Sequence, residues 1–478
     1  MKEKLKTGLL FGLSILTIFL AGKIWFVSPI LSKKDDVSKE KLFEMRYIME
    51  DIVSPREMVI NFGIDEHTIV YDVNESGLWK SSLITIEDIF TKDKKDIKSF
   101  TEISNKEYAI MLNQESIILK FHDMIGTSTL LNSIGIKKAN YLSDIIPVIN
   151  KVYISTGDND FIVLSDDVLY YAIQFTSLEK EALVKSIDDI KQTNIMNAKL
   201  YNRYYPMNEM YGVENTIFIP DIHNFNARKI YFENVMENLD EPYINNIVSR
   251  FLDKSIDSVR ALTQEDGNRI YVYDNKTVSL NENGKINYSA PYLVDSKDLN
   301  FFKSISTAVD FVSEKIGFNK SIHLRSLDMI GENGNEGYRL GFGMLADGLL
   351  VDLDSEILSN YIEIDVYNGN VKNYVQLLRI IKETDVKFYN MENAMELTDI
   401  IVQNGELFKR LLAEKKLHDG SGLDNLVKTT LENISLAQIV YLDNNSVDEE
   451  PLELVWKIVI FGKQYYFNCF SAQKLLER

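Results

Sequence analysis

The chain has 478 residues, 45% hydrophobic and 26% charged, which are globular proportions over a length that accommodates roughly two to four domains. Lys plus Arg number 52 against 71 Asp plus Glu, a formal charge of −19. That balance excludes nucleic acid as a partner, because its binding needs a cationic surface to displace counterions. The single cysteine, Cys469, excludes an internal disulfide and a cysteine-cluster zinc site.

The first element is an apolar segment. Lys2, Lys4 and Lys6 precede the run Thr7–Gly22, Lys23 interrupts it, and Ile24-Trp25-Phe26-Val27 resumes it. As a helix, Thr7–Val27 spans roughly 31 Å, enough to cross a bilayer core. Lys23 lies near one end, where its stem reaches the headgroups, and Trp25 and Phe26 suit that interface. A cleaved signal peptide is the poorer reading, since cleavage after Ala21 puts Phe19 where a small residue is required. A six-residue basic tail followed by a long body favours a cytoplasmic N-terminus and an extracellular body. Gly8-Leu9-Leu10-Phe11-Gly12 has two glycines four apart, a spacing that lets a second helix backbone approach closely. Gly8 and Gly12 are therefore the candidate helix-contact residues. Residues 1–27 hold four lysines and one glutamate, so the rest of the chain carries −22.

Residues 1–28 read as tail and anchor, 29–45 as a polar tether, 46–240 as an N-terminal α+β region, 241–297 as a middle helix and β unit, and 298–478 as a C-terminal helix-and-sheet domain. Met58–Gly63 and His67–Tyr71 predict a hairpin. Glu107–Leu112 and Ser116–Phe121 predict another. Lys151–Ser155, Phe161–Leu164 and Leu169–Phe175 predict strands, and Thr216–Ile219 and Lys229–Phe232 predict shorter ones. A helix is expected from Ser177-Leu-Glu-Lys180 towards Asn197, with Ser177 as its N-cap, and another over Ile244–Leu262.

Arg269–Tyr273, Thr277–Leu280 and Lys285–Tyr288 form a compact β run that turns at Asn283-Gly284. Phe302, Ile305, Val309, Val312 and Ile316 share a helical stripe that stops at Gly317. Strands follow over Ile322–Ile330, Tyr338–Leu345, Leu349–Leu353, Ile362–Tyr367 and Val371–Ile381. Helices are expected over Met391–Gln403 and Glu406–Lys415. The closing strands are Ser435–Leu442, Leu452–Phe461 and Gln464–Phe470. In the second of these, Leu454, Trp456, Ile458 and Ile460 share one face and Val455 and Val459 the other, so the sheet is covered on both sides. The order is neither strict βαβ nor all-β, and the class is α+β with mostly antiparallel sheets.

Motifs that carry chemistry are largely missing. No phosphate-cradling glycine loop and no H-E-x-x-H occurs. His67, His122, His223, His323 and His418 are scattered, with His67 in an expected turn. Ser177-Leu-Glu-Lys180 fits S-x-x-K, but the chain lacks Ser-Asp-Asn, and its only Lys-Thr-Gly is Lys6-Thr7-Gly8. His418-Asp419-Gly420-Ser421-Gly422 reads as a loop, because members of a catalytic triad converge from separate elements. The acidic stretches Asp158–Asp160 and Asp443–Glu450 do not match a calcium loop. Cys469 lies in an apolar strand and reads as core. No catalytic residue, metal ligand or cofactor is expected.

The anchor, the body without an evident catalytic motif and several short stretches together resemble the YycH family. The stretches are Asn268–Leu280, Gly337–Gly343, Ile362–Val371 and Leu454–Ile460 with Gly462 and Tyr465-Tyr466. The C-terminal module is also similar to YycI. Members are extracytoplasmic regulators of an essential sensor histidine kinase in low-GC Gram-positive bacteria. The resemblance implies a non-enzyme held in the cell membrane, with membrane lipid around its helix. Its implied partners are the kinase and a YycI-like single-span regulator, with contact made through the Gly8/Gly12 face and the ectodomain. The alternatives are an anchored surface enzyme acting on wall polymer or peptide, and a structural or spore-assembly protein.

Overall fold

The computed structural model describes residues 53–478 except 65, 75, 122–125, 197–200, 234–239, 266, 292–300, 318–321, 333–334, 356–357, 383–384, 418–421 and 445–449. These belong to one compact unit, Met45–Arg478. The predicted span, with Gly8, Gly12, Lys23, Trp25 and Phe26, lies outside the described residues. Among the described residues, no helix is long and apolar enough to cross a membrane.

Nine strands form the first sheet: β1 (Glu57–Asn61), β2 (His67–Val70), β3 (Ile97–Ile103), β4 (Ser116–Lys120), β5 (Lys151–Ser155), β6 (Phe161–Ser165), β7 (Tyr170–Phe175), β8 (Arg203–Pro206) and β9 (Phe218–Pro220). Their order is β3-β7-β6-β5-β4-β1-β2-β8-β9. The hairpin expected at residues 58–71 is present, with Asn61 opposite His67. Helices α1 (Leu78–Thr91), α2 (Asn105–Met111) and α3 (Glu181–Met196) accompany this sheet. Met58, Ile60, Ile117, Leu119, Val152 and Ile154 pack in one core with Trp79, Ile86 and Phe90 of α1 and Leu183 and Ile187 of α3. On the other face Val59, Ile118, Tyr153 and Val163 are also buried. Unbroken apolar runs such as Ser116–Lys120 thus mark strands covered on both sides.

Two of the elements that differ from the sequence expectation do so for local reasons. Glu107–Leu112 is helical rather than extended. The Ser104 hydroxyl accepts from the Glu107 N–H at 3.3 Å, and the Glu107 carboxylate accepts from the Ser104 N–H at 2.7 Å, a reciprocal cap that starts α2. Tyr108 then lays its ring 4.5 Å from Tyr170 and 6.2 Å from Tyr153 on the sheet. The helix expected over 244–262 is α4 (Glu241–Leu252), which stops because Asp253 turns left-handed at φ 55. Residues 260–263 instead form an edge strand.

The second sheet has thirteen strands: β11 (Arg260–Thr263), β12 (Arg269–Tyr273), β13 (Lys276–Leu280), β14 (Lys285–Ser289), β15 (Ile322–Glu332), β16 (Asn335–Ala346), β17 (Leu349–Leu353), β18 (Ile362–Tyr367), β19 (Asn370–Leu377), β21 (Ile434–Asp443), β22 (Glu453–Ile460), β23 (Lys463–Asn468) and β24 (Lys474–Glu477). A separate two-stranded sheet pairs β10 (Phe232–Glu233) with β20 (Ile380–Ile381). The segment 241–297 is continuous with the C-terminal sheet, because β14 pairs with β19 from Lys285↔Leu377 to Ser289↔Asn373. Tight reversals at Asn283-Gly284, Asn368-Gly369 and Phe461-Gly462 set the hairpin registers, each glycine at positive φ. Helix α5 (Phe301–Lys315) buries the expected Ile305, Val309 and Val312, and Gly317 at φ 91 ends it. Helices α6 (Leu397–Gln403), α7 (Gly405–Glu414) and α8 (Leu423–Asn433) precede the closing strands. Pairing is antiparallel apart from β17 with β21, which is parallel.

Polar contacts tie the segments flanking β9 to α8 and β21. The Asn215 amide donates to the carbonyls of Leu431 and Ile434, each at 2.7 Å. The Tyr441 hydroxyl donates to the Arg228 carbonyl at 2.6 Å.

Gly337 of β16 passes so close to β18 that a Cβ there would stand 2.4 Å from the Val366 carbonyl oxygen. Gly337→Ala is therefore expected to cost about 1–3 kcal/mol through strand displacement. Urea denaturation measures it, and a loss under roughly 0.5 kcal/mol, within the range of an ordinary surface change, would refute the close approach.

Candidate functional site

The most concentrated chemistry in the described body is a buried charge centre where β15, β17, β22 and β23 converge. Asp352, wholly buried on β17, receives Lys457 Nζ at 2.7 Å and the Tyr466 hydroxyl at 2.6 Å, both on Oδ2. Arg325 Nη1 lies 2.5 Å from its Oδ1. Burial alone would raise the Asp352 carboxyl, but Arg325 and Lys457 hold it well below the usual carboxylate range. Burial lowers Lys457 to about 8, against the opposing pull of Asp352. Burial, reinforced by Asp352, pushes the Tyr466 hydroxyl up.

A second buried carboxylate lies one register step away. Asp443 pairs with Leu353 across the parallel strands. It accepts from the Tyr361 hydroxyl at 2.9 Å and from Arg379 Nε at 3.2 Å. The first centre ties strands together, the second ties the end of β21 to the residues flanking β18 and β19, and within each centre the charged groups are directed at one another.

The residues singled out by sequence fall elsewhere. Asp443, expected in an acidic loop, ends β21 and is buried, while residues 445–449 lie outside the described residues. Ser177 is not a helix N-cap, since α3 begins at Glu181. Lys180 donates to the carbonyls of Ser155, Gly157 and Asn159 at 3.3, 2.6 and 3.0 Å. It also pairs with Asp160 at 3.1 Å. This lysine therefore holds the β5–β6 turn, and the S-x-x-K match is a structural clamp. Cys469 is buried as expected, and burial pushes its thiol up. His223 meets Glu396 at 3.5 Å, His323 lies on β15, and His122 and His418 are outside the described residues. Among the described residues, no three His, Cys, Asp or Glu side chains gather to hold a metal ion.

His67 is the first residue of β2, at the start of the strand predicted over His67–Tyr71, and it is almost fully buried. Its Nδ1 is 2.8 Å from Asn61 Oδ1, and the Asn61 amide donates to the Ser116 hydroxyl at 2.8 Å. It borders a cavity of about 390 Å³ whose lining includes Phe62, Glu66, Lys191, Arg203 and Asp221. Lys191 lies 3.9 Å from Glu66 and 5.5 Å from the Phe62 ring centre. The lining mixes both charge signs, and only the tertiary pairing of β2 with β8 brings these residues together.

No protein-family model matches the sequence, and no curated protein sequence matches it. Among solved structures, the chain is similar to YycH from Bacillus subtilis, at 13% identity and a TM-score of 0.49, over 89% of this chain and 98% of that one. It is also similar to an uncharacterized protein from Eubacterium rectale, at 10% identity and a TM-score of 0.34, over 52% of this chain and 85% of that one. The C-terminal domain of YpeB from Bacillus megaterium matches at 10% identity and a TM-score of 0.24, over 50% of this chain and 97% of that domain.

Asp352→Asn should destabilise the body by about 3–5 kcal/mol at neutral pH, because the buried Lys457 and the partly buried Arg325 lose their counter-ion. The pH dependence has a defined sign. The folded-state value of Asp352 is depressed, so its contribution is complete above the unfolded carboxyl value near 4 and drains away as pH falls below it. Thermal unfolding between pH 5 and 2.5 should fall more steeply for the parent protein than for Asp352→Asn. Parallel acid limbs would refute the assignment.

Proposed function

We propose that this protein is a membrane-anchored extracytoplasmic regulator that binds a sensor histidine kinase and modulates its state. The observation that carries the reading is the Thr7–Val27 segment, long and apolar enough to span a bilayer, ahead of a large α+β body. The resemblance of its sequence stretches to the YycH family supports it.

A ligand-free regulator shifts a kinase only by binding one of its states better than the other. Tethering both proteins in one membrane raises the effective concentration, so a helix contact and an ectodomain contact reinforce each other. Gly8 and Gly12 are the proposed helix-contact face, and Lys23, Trp25 and Phe26 set the depth of the helix at the outer interface. A YycI-like single-span protein is the proposed third component.

The cavity beside His67 favours a second reading, a surface enzyme acting on wall polymer or peptide. Lys191→Ala with Arg203→Ala separates the two. Unchanged kinase output and unchanged wall composition would remove the enzyme reading.

Replacing Gly8 and Gly12 with Ile should leave the protein in the membrane fraction and reduce kinase co-purification several-fold, with target-gene output altered, since packing at small residues contributes on the order of 1 kcal/mol or more. Recovery of the mature protein in the medium without residues 1–27 would overturn the anchored reading.

A further inference from the structure

Strand β15 is eleven residues long and, among the described strands, pairs with β16 alone. Its inner half is protected as edge strands usually are. A bulge falls between Leu324 and Ser326, and Arg325 turns inward to Asp352. The outer half, Ser326–Gly331, has neither proline nor lysine, and Met329 is 65% exposed.

Two rows of side chains cross the sheet and end at this edge. On one face the register runs Asp328–Arg339–Asp365–Asn373–Ser289 over five strands. Arg339 gives Nε and Nη2 to the two oxygens of Asp365 at 2.6 and 2.9 Å. The Asn373 amide donates to Asp365 at 3.1 Å, and the Ser289 hydroxyl donates to Asn373 at 3.1 Å. With the guanidinium fork committed to Asp365, Asp328 ends the row as an exposed carboxylate that has no ion pair among the described residues. On the face beneath α5 the row is Met329–Tyr338–Val366–Val371. Tyr338 stands edge-on to Phe301 of α5.

Directly opposed side chains are the unit of sheet stabilisation, so the end of each row specifies what an added strand must carry. We infer that the outer half of β15 docks an extended segment of a partner protein, with a basic residue opposite Asp328 and an apolar residue opposite Met329. A second copy of β15 does not meet this requirement, since Ser326–Gly331 contains no lysine or arginine and the strand's one arginine, Arg325, is committed to Asp352. The inference rests on the regulator reading for the partner's identity, the kinase.

The test uses the full chain co-expressed with the kinase in membranes, with a photo-crosslinking residue in place of Met329. The cross-link should map to an extended basic segment of the kinase, and amides of residues 326–331 should gain hydrogen-exchange protection in the complex. Asp328→Arg should weaken association about tenfold through like-charge opposition, with a slightly lower melting temperature of the free protein because it sets a second cation opposite Arg339, and Met329→Lys should weaken association similarly with the melting temperature unchanged. Reversing the charge of the cross-linked basic residue should restore binding to Asp328→Arg. An intact complex that is insensitive to both variants and leaves 326–331 unprotected overturns the docking edge and spares the regulator reading. A cross-link to a second copy overturns the docking edge in the same way. Absence of any kinase complex overturns both.

Discussion

A single carboxylate, Asp352, determines how the second sheet can be assembled. Strand β15 and the β22–β23 hairpin, distant from it in sequence, present Arg325, Lys457 and Tyr466 to it in the interior. A one-residue slip of β17 would turn Asp352 to the opposite face and leave Lys457 and Arg325 without a counter-ion. Buried ion pairs contribute little net stability compared with apolar packing, but breaking one is costly. The centre therefore acts as a constraint on register. It lies beside the parallel β17–β21 pairing, where two antiparallel groups of strands are joined without a hairpin to set their alignment. Asp443, with Tyr361 and Arg379, supports the same junction from the neighbouring strand.

The strands around the Asp352 centre are locked from within, and β21 and β22 are buried on both faces, so this part of the sheet meets its surroundings mainly at edges and loops. The short edges β11 and β24 have four residues each, whereas β15 has eleven. Its inner half is secured through Arg325 to the Asp352 centre, so its outer half projects from a rigid base. A rigid edge suits a protein that acts by contact, since little order has to be gained on binding. Regulation by contact requires only that such a surface favour one state of the partner.

Hairpins were legible where a glycine at positive φ reverses the chain, as at Gly284, Gly369 and Gly462, because that signal is local and chemical. The stripe of α5 was legible for the same kind of reason, as five apolar residues at helical spacing ended by Gly317. Residues 107–112 were not. Their apolar run fits a strand, and the helix depends on the reciprocal cap at Ser104 and on Tyr108 finding Tyr153 and Tyr170 from distant strands. The stop at Asp253 was equally hidden. Lys315 and Lys276, both distant in sequence, hold the carboxylate of this left-handed residue.

From the amino-acid order alone came the α+β class, most strands, the burial of Cys469 and the expectation of an apolar segment at Thr7–Val27, since these follow from periodicity, turn chemistry and length. Tertiary structure decided which charges meet. Arg325, Asp352 and Lys457 look like three ordinary surface residues in three unremarkable strands, and His67 looks like an ordinary strand end. Their roles arise from strand order and register, which join residues more than a hundred positions apart, and no local pattern encodes that pairing.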